Sequence, residues 1–430
     1  MKQGFQVVPQ EKLVERAYLV GVSLPDNPLL SEQEHVDELQ QLATTAGAVV
    51  VGRTIQGRTR IDGATFIGPG KAQEIKRKCN ELCANLVIFD RDLSPAQARN
   101  LEKILDINVI DRTELILDIF ARHAKTQQAK TQVELAQLIY TLPRLRKLWD
   151  HLSRQQGGIG TRGPGETQLE VDRRRVRERI GRLKRQLKTF GKRNEVLRKS
   201  RNGHPMVALV GYTNTGKSTL MNALTGANTL AENQLFATLD TLTRRVATSD
   251  HVTILLVDTV GFIRRLPHHL VESFKATLSD IANADLCLHV IDVAHHAYAD
   301  QKEVADATLR TINGSADRVL YVFNKIDAVD DETIDGLRLR YPEAVFISAA
   351  DGQGLDELKR RVEQQLFGKD LKVEVVIPAV DGKGISAVKS LLDNPTNSIE
   401  GKLYIIRGVI KTGLMDQLEA VRGARIRYLL

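Results

Sequence analysis

The stretch MVALVGYTNTGKSTLMNAL, residues 206–224, decides how the rest of the chain is read. An apolar run, a glycine turn and an amphipathic run follow one another, so a buried strand feeds a loop that opens a helix. Gly211 and Gly216 bracket the pattern GxxxxGK[ST], completed by Lys217 and Ser218. Such a loop turns successive backbone N–H groups inward, and the helix N-terminus behind it adds its dipole, so together they cradle phosphate. The lysine reaches the β- and γ-phosphates and the serine hydroxyl binds Mg²⁺.

Further pieces follow in the order such a site requires. TILLVD ends on Asp258, placed to hold magnesium through water, and Gly261 can offer its N–H to a γ-phosphate. YVFNKID places Asn324, Lys325 and Asp327 at another strand end. The Asp327 carboxylate only accepts, which suits the N1–H and 2-amino donors of guanine and selects GTP over ATP. VFISAADGQG adds Ser348 and Ala349, whose backbone can meet the guanine O6. Between loop and magnesium strand lies NQLFATLDTLTRR, where Thr238 is the candidate hydroxyl for Mg²⁺ and the γ-phosphate; Thr241 and Thr243 remain open as rivals.

The expected nucleotide-binding set is therefore Gly211, Tyr212, Thr213, Asn214, Thr215, Gly216, Lys217, Ser218 and Thr219, then Phe236, Ala237 and Thr238. Asp258, Thr259, Val260 and Gly261 follow, and then Asn324, Lys325, Asp327, Ser348 and Ala349. Lys217, Thr238 and Gly261 are the catalytic candidates. Ser218, Thr238 and Asp258 are the Mg²⁺ candidates. Asn214 could add K⁺ near the β/γ bridge, with loop stabilisation as the equal alternative. One part is missing: after Gly261, where many such enzymes carry a water-orienting glutamine, stands Phe262. A phenyl ring cannot hydrogen-bond water usefully. Slow basal hydrolysis, accelerated by a partner, is the expectation.

A chain of 430 residues is too long for one core. The hydrophobic share of 42% and charged share of 27% describe an ordinary globular protein with no span-length apolar run. The N-terminus lacks a secretory pattern, so a cytoplasmic, monomeric protein, associating with ribosomes or the membrane surface, is expected. Cys79, Cys83 and Cys287 lack the second ligand pair a zinc site needs and are expected to be buried, reduced thiols. The formal net charge of +8 is concentrated: residues 173–201 hold 14 Lys and Arg against Glu178 and Glu195, a net of +12. A localised basic element favours a polyanion partner over a merely solvated helix.

The expected class is α/β and multidomain. Residues 1–113 read as an N-terminal α/β domain, with AYLVGVSL, GAVVVGRT, ATFIGPG, ANLVIFD and INVID as strands and helices near 31–46, 70–84 and 94–105. Ser94 is its clearest N-cap, with Pro95 next. Residues 114–201 read as an antiparallel basic helical hairpin. Leu135, Leu138, Leu142, Leu145, Trp149 and Leu152 form one seam, kinked at Pro143; Leu169, Val176, Ile180, Leu183, Leu187, Phe190 and Leu197 form the other. The connection GGIGTRGPGE contains a literal GxGxxG, but a helix precedes it, so no dinucleotide site is read there. A flexible turn and an RNA-approaching tip are both open readings, the tip comprising Gly157, Gly158, Gly160, Arg162 and Gly163. Arg173, Arg174, Arg175 and Arg177 continue the contact candidates onto the helix. Residues 205–368 read as the P-loop domain and 370–430 as a small α+β module of β-α-β-α order.

Taken together, FIGPGKAQEI, SPAQARNLEKIL, VIDRTELILDIFA, RQQGGIGTRGPGETQLEVDRRRVRERI and GYTNTGKSTLMNALTGA through LFATLD to DTVGFIRRLP resemble the HflX-type GTPases, over roughly residues 15–368. One departure is Thr241, where the family usually has proline. The resemblance implies binding to the large ribosomal subunit and its RNA, with the N-terminal part and hairpin loop directed toward the peptidyl-transferase region. It also implies subunit splitting or rescue of stalled ribosomes, often under heat stress. A nucleotide-gated RNA-binding switch and an NTP-driven RNA remodeller are the alternatives.

Overall fold

The computed structural model describes residues 14–25, 29–148, 164–199, 204–226, 235–236, 242–248, 252–265, 280–313, 318–368 and 370–429. The chain forms two compact units.

The first unit comprises residues 1–191 with 234–236 and 265–274. Strands β1 (Arg16–Ser23), β2 (Val49–Gly57), β3 (Leu86–Phe89) and β4 (Asn108–Asp111) make a parallel sheet in the order β2-β1-β3-β4. Helices α1 (Leu29–Thr45), α2 (Pro69–Glu81) and α3 (Pro95–Leu105) connect them, as parallel pairing requires. β1 is buried from Ala17 to Ser23, which is why its sequence is an unbroken apolar run and not an alternating one. Ser94 caps α3 in a full capping box: its hydroxyl accepts the Gln97 N–H at 3.2 Å, and its own N–H donates to Gln97 Oε1 at 2.9 Å.

Several expectations are corrected here. ATFIGPG is not a strand. The Asp62 carboxylate accepts the amides of Ala64 (2.8 Å) and Thr65 (3.0 Å), Phe66 takes φ 64°, and α2 starts at Pro69. Phe66 and Ile67 are apolar because they enter the core, not because they alternate along a strand. Position 113 falls in the first turn of α4 (Arg112–His123), which follows β4 directly, is capped by Asp111 and buries Leu115, Ile116, Ile119 and Phe120. Pro143 does not kink a continuing helix. α5 (Gln127–Thr141) ends before it, and Leu142–Leu148 form a 3₁₀ stretch. Cys83 is exposed, at φ 50° just past α2, whereas Cys79 and Cys287 are buried.

α6 (Pro164–Lys199) is a single long helix. Leu183 is its buried residue among those described, flanked along one stripe by half-buried Val176, Ile180, Leu187 and Phe190. Arg179 grips Glu134 of α5 through two hydrogen bonds, of 2.7 and 2.9 Å. Trp149, Leu152 and the glycine-rich 157–163 lie outside the described residues, as do the side chains of Leu169 and Leu197. Within this unit Glu32, His35 and Asp90 gather at ligand distance from one another, yet a guanidinium fills the gap: Arg265 donates to Glu32 (3.1 Å), to His35 (2.8 Å) and to Asp90. Although burial pushes Glu32 up, the adjoining His35 ring and the Arg265 guanidinium hold it down at about 2.

The second unit comprises residues 192–233, 237–264 and 275–430. Its larger sheet runs β10-β9-β8-β5-β7-β6, built from β5 (Met206–Val210), β6 (Leu242–Ala247), β7 (Thr253–Asp258), β8 (Leu286–Asp292), β9 (Val319–Asn324) and β10 (Val345–Ile347). All pairs are parallel except β6–β7. Helices α7 (Lys217–Thr225), α8 (Tyr298–Asn313), α9 (Asp331–Arg340) and α10 (Leu355–Phe367) accompany it. Val207, Leu209, Leu256, Leu288, Val290 and Val322 are buried with the α7 residues Leu220 and Met221. β5 lies between β7 and β8, so its carboxyl end opens where chain connections diverge to either side, the usual ligand position in such sheets.

The carboxyl-terminal part of this unit has two strands more than its sequence pattern signalled. β11 (Asp370–Pro378), α11 (Gly382–Leu391), β12 (Asp393–Glu400), β13 (Leu403–Lys411), α12 (Met415–Glu419) and β14 (Arg425–Tyr428) form an antiparallel sheet in the order β12-β13-β11-β14. β12 escaped notice because its sequence, DNPTNSIE, is polar and almost wholly exposed: an edge strand that buries nothing.

Candidate nucleotide site

The loop 211–216 leaves β5 and is held shut from several sides. Gly216 takes φ 90°, and a Cβ there would lie 2.3 Å from Asn324 Nδ2. That amide instead donates to the Thr215 carbonyl at 2.8 Å, while Asn324 Oδ1 accepts the Ala349 N–H at 3.0 Å. One buried asparagine thus ties the phosphate loop to the end of β10. Lys325, itself left-handed at φ 66°, sends its ammonium to the Asn214 carbonyl (3.1 Å) and to Asp292 (2.6 Å). Asp292 was not singled out in the sequence; its signal was its place at the end of LCLHVID, as Asp258 ends TILLVD.

At the head of α7, Lys217 Nζ donates to the carbonyls of Tyr212 (2.6 Å) and Gly211 (3.2 Å). Burial pushes this ammonium down to about 8, against the attraction of Asp258. The Ser218 hydroxyl donates to Asp258 Oδ2 at 2.7 Å. A hydroxyl and a carboxylate in contact beside the phosphate loop are hard oxygen donors, a set that fits Mg²⁺. Thr259 is buried and donates to the Leu209 carbonyl at 2.6 Å, fixing the chain as it leaves β7. Gly261 comes so close that a Cβ there would meet Thr213 Cα at 2.8 Å and Lys217 Nζ at 3.0 Å. Phe262 follows with its ring 3% exposed. Its N–H donates to the Gly211 carbonyl at 2.9 Å, and its carbonyl accepts the Thr213 N–H at 2.8 Å. The Tyr212 hydroxyl accepts the Arg264 N–H at 2.8 Å, a second tie the sequence did not announce.

The structure therefore gathers Gly211, Tyr212, Thr213, Asn214, Thr215, Gly216, Lys217, Ser218, Asp258, Gly261, Asn324, Lys325 and Ala349 through direct contacts. Thr219 lies one residue along α7, Val260 between Thr259 and Gly261, and Asp327 in the exposed 3₁₀ turn Ile326–Ala328 after β9. Ser348 is buried, its N–H bonded to the Gln353 carbonyl at 3.0 Å. Three further candidates make contacts of their own. The Ala349 N–H, one of the backbone groups that can meet guanine O6, donates to Asn324 Oδ1. Phe236 packs its ring edge-on against Phe120 at 4.8 Å within the first unit. Thr243 sits in β6 opposite Val257, committed to the ladder. Ala237, Thr238 and Thr241 lie outside the described residues.

A strand, a glycine loop closed by lysine and serine, an aspartate-ended neighbouring strand and an Asn-Lys-x-Asp turn on one sheet edge define a P-loop GTPase. Three family models cover the chain in succession: GTP-binding GTPase N-terminal over residues 33–121, GTP-binding GTPase Middle Region over 123–201, and 50S ribosome-binding GTPase over 206–325. The protein named GTPase HflX from Lacrimispora saccharolytica is 48% identical over 373 residues, covering 86% of this chain and 87% of that protein. GTPase HflX from Escherichia coli strain K12 is 43% identical, covering 86% and 87%. That from Alkalihalophilus pseudofirmus is 40% identical, covering 95% and 97%. The chain belongs to the HflX GTPase family; it binds GTP and hydrolyses it. No helix among the described residues is long and apolar enough to cross a membrane.

Proposed function

We propose that this GTPase works as a monomer on the large ribosomal subunit in the cytoplasm, where GTP-dependent docking splits or rescues stalled ribosomes. The observation that carries the reading is the row of arginines on α6. Arg174, Arg175 and Arg177 are exposed and lie off the stripe that holds Leu183, whereas half-buried Arg173 continues that stripe, three residues before Val176 and seven before Ile180. A guanidinium row on a rigid helix binds phosphate by charge and by its planar fork. The glycine-rich 157–163 leads into this helix and continues the contact through Arg162. The match of residues 206–325 to the 50S ribosome-binding GTPase family supports the same partner.

At the nucleotide site, Lys217 pairs with the β- and γ-phosphates, Gly261 offers its N–H to the γ-phosphate, and Asp327 selects guanine. Ser218 and Thr238, with Asp258 through water, would hold Mg²⁺, which when bound would neutralise phosphate charge. Asn214 adds a K⁺; equal turnover in K⁺ and Na⁺ buffers would remove that ion from the account. Without a glutamine, intrinsic hydrolysis is slow and the ribosome completes the site. Sedimentation of ribosomes with the protein and a non-hydrolysable GTP analogue tests the splitting role. Separated subunits are expected. Binding to intact ribosomes with no separation would leave a nucleotide-gated RNA-binding switch in its place.

A further inference from the structure

The carboxyl-terminal sheet has one face covered by its own helices and an opposite, more open face on which Arg407, Arg425 and Arg427 are exposed, while Ile405 there is buried and Lys411 lies 3.6 Å from Glu363 of α10. Val373, Val375 and Ile377 of β11 and Ile406 and Ile410 of β13 pack with Val388 of α11 and with Met415 and Leu418 of α12. Alternation then turns Lys372, Glu374 and Val376, Ile405, Arg407 and Val409, and Arg425 and Arg427 to the opposite face. The strand order β12-β13-β11-β14 makes β11 and β13 central in a β-α-β-β-α-β module of ferredoxin-like topology, whose helices lie on one side only.

The register lines up the charges on that open face. Glu374 pairs with Arg407 on one side and Arg427 on the other, so Arg427, Glu374 and Arg407 form a row across three strands. Arg425 stands beside Val376 in the next row. Arg407 Nε donates to Glu374 Oε2 at 2.7 Å, and Arg427 Nη1 lies 3.6 Å from Oε1. The glutamate side chain is only 10% exposed, whereas those of Arg407 and Arg427 are 53% and 75% exposed. One buried carboxylate thus holds Arg407 by a hydrogen bond and draws Arg427 by charge, leaving the outer edges of both guanidiniums to solvent. Arg425 and Lys372 are exposed as well; Asp393 and Glu400 stand on the same face along the edge strand β12, so the positive charge is concentrated on β11, β13 and β14. Held guanidiniums with a free edge lose little freedom on meeting an anion. The tyrosines nearby, Tyr404 and Tyr428, fall on the covered face by the same alternation. The open face therefore offers charge without stacking platforms.

We propose that this face is a second RNA-docking surface, on which Arg407, Arg425 and Arg427 grip backbone phosphates without reading bases. The row matches a polyanion by charge, and the lack of an aromatic on the face separates it from modules that stack single-stranded bases. The proposal goes beyond the ribosomal reading and rests on it only for the source of the RNA.

The test titrates the full-length protein with a duplex RNA of about 20 base pairs and arbitrary sequence, followed by fluorescence anisotropy across a salt series. The triple variant Arg407→Gln/Arg425→Gln/Arg427→Gln is expected to bind about tenfold or more weakly at low salt. Its slope of log affinity against log salt should be shallower by about 2 to 3. GTP affinity stays unchanged. Arg425 makes no ion pair among the described residues, so Arg425→Gln alone keeps the fold; its slope should fall by about one. The deficit persists when Arg174, Arg175 and Arg177 of α6 are also changed to glutamine. Unchanged affinity and slope in both sheet variants overturns the proposal. So does retained RNA binding with lost binding to phosphatidylserine-containing vesicles, which would assign the face to anionic lipid. A slope change together with no response to large subunits would overturn only the ribosomal reading.

Discussion

Phe262 donates its backbone N–H to the carbonyl of Gly211 at 2.9 Å and is locked to the phosphate loop by that bond and its return from Thr213. The residue standing where a glutamine is common is thus a backbone strut of the phosphate loop with a buried side chain. Replacing it should not restore what is absent. Phe262→Gln buries an amide in an apolar setting and is expected to cost about 2–4 kcal/mol of stability. A lower Tm with no gain in basal hydrolysis is the expected pair of results. An unchanged Tm with a tenfold faster basal rate would mean that the glutamine reaches the water after all.

Lys217→Ala removes the one buried ammonium in the phosphate loop. Its hydrolysis rate should fall by about 10²-fold or more, since fixed charge at the transferred phosphoryl group supplies much of the rate. Phosphate-release assays with saturating GTP check this. A loss of less than tenfold would move the catalytic charge elsewhere.

The lowered ammonium of Lys217 also predicts a pH dependence. Below about 8 the group is charged in the free protein and meets the phosphates directly; above it, binding must take up a proton. GTP affinity should therefore weaken by about tenfold between pH 7 and 9. Calorimetric titrations in buffers of different ionisation heat would show proton uptake at the alkaline end. Constant affinity without uptake would contradict the shift.

Asp327→Asn exchanges an acceptor-only group for one that also donates. GTP loses two charge-assisted hydrogen bonds worth about 1.5–3 kcal/mol each, so its affinity should drop by at least about 10²-fold. A xanthine nucleotide, with oxygen in place of the 2-amino group, should bind the variant better than GTP does. Competition of both nucleotides against a labelled guanine nucleotide decides it. Equal GTP binding by variant and parent would remove Asp327 from base recognition.

Much of this architecture was legible because local chemistry and global fold agree. The strand-loop-helix around Lys217, the capping box at Ser94 and the buried run of β1 each carry their cause within a few neighbouring residues. What escaped depends on residues far apart in sequence. Asn324 reaches Thr215 and Ala349 across the sheet edge, and no spacing rule announces that the Ala349 N–H is taken. ATFIGPG looked like a strand because Phe66 and Ile67 are apolar, yet Asp62 turns the backbone before a ladder can form. Pro143 is expected to kink a continuing helix, but α5 ends before it and a 3₁₀ stretch follows, an outcome the residue type alone does not decide. β12 and β14 are exposed edges whose side chains bury little, so hydrophobic periodicity had nothing to report.

The central claim is that the buried Phe262 marks dependence on a partner and not loss of activity. Single-turnover GTP hydrolysis, measured with and without purified large ribosomal subunits, tests it most directly. Free protein should turn over near the intrinsic rate of Ras-like enzymes, about 10⁻⁴ to 10⁻³ s⁻¹, and large subunits should raise that by several orders of magnitude, toward the roughly 10⁵-fold a partner can supply. Equal rates with and without subunits would contradict the account.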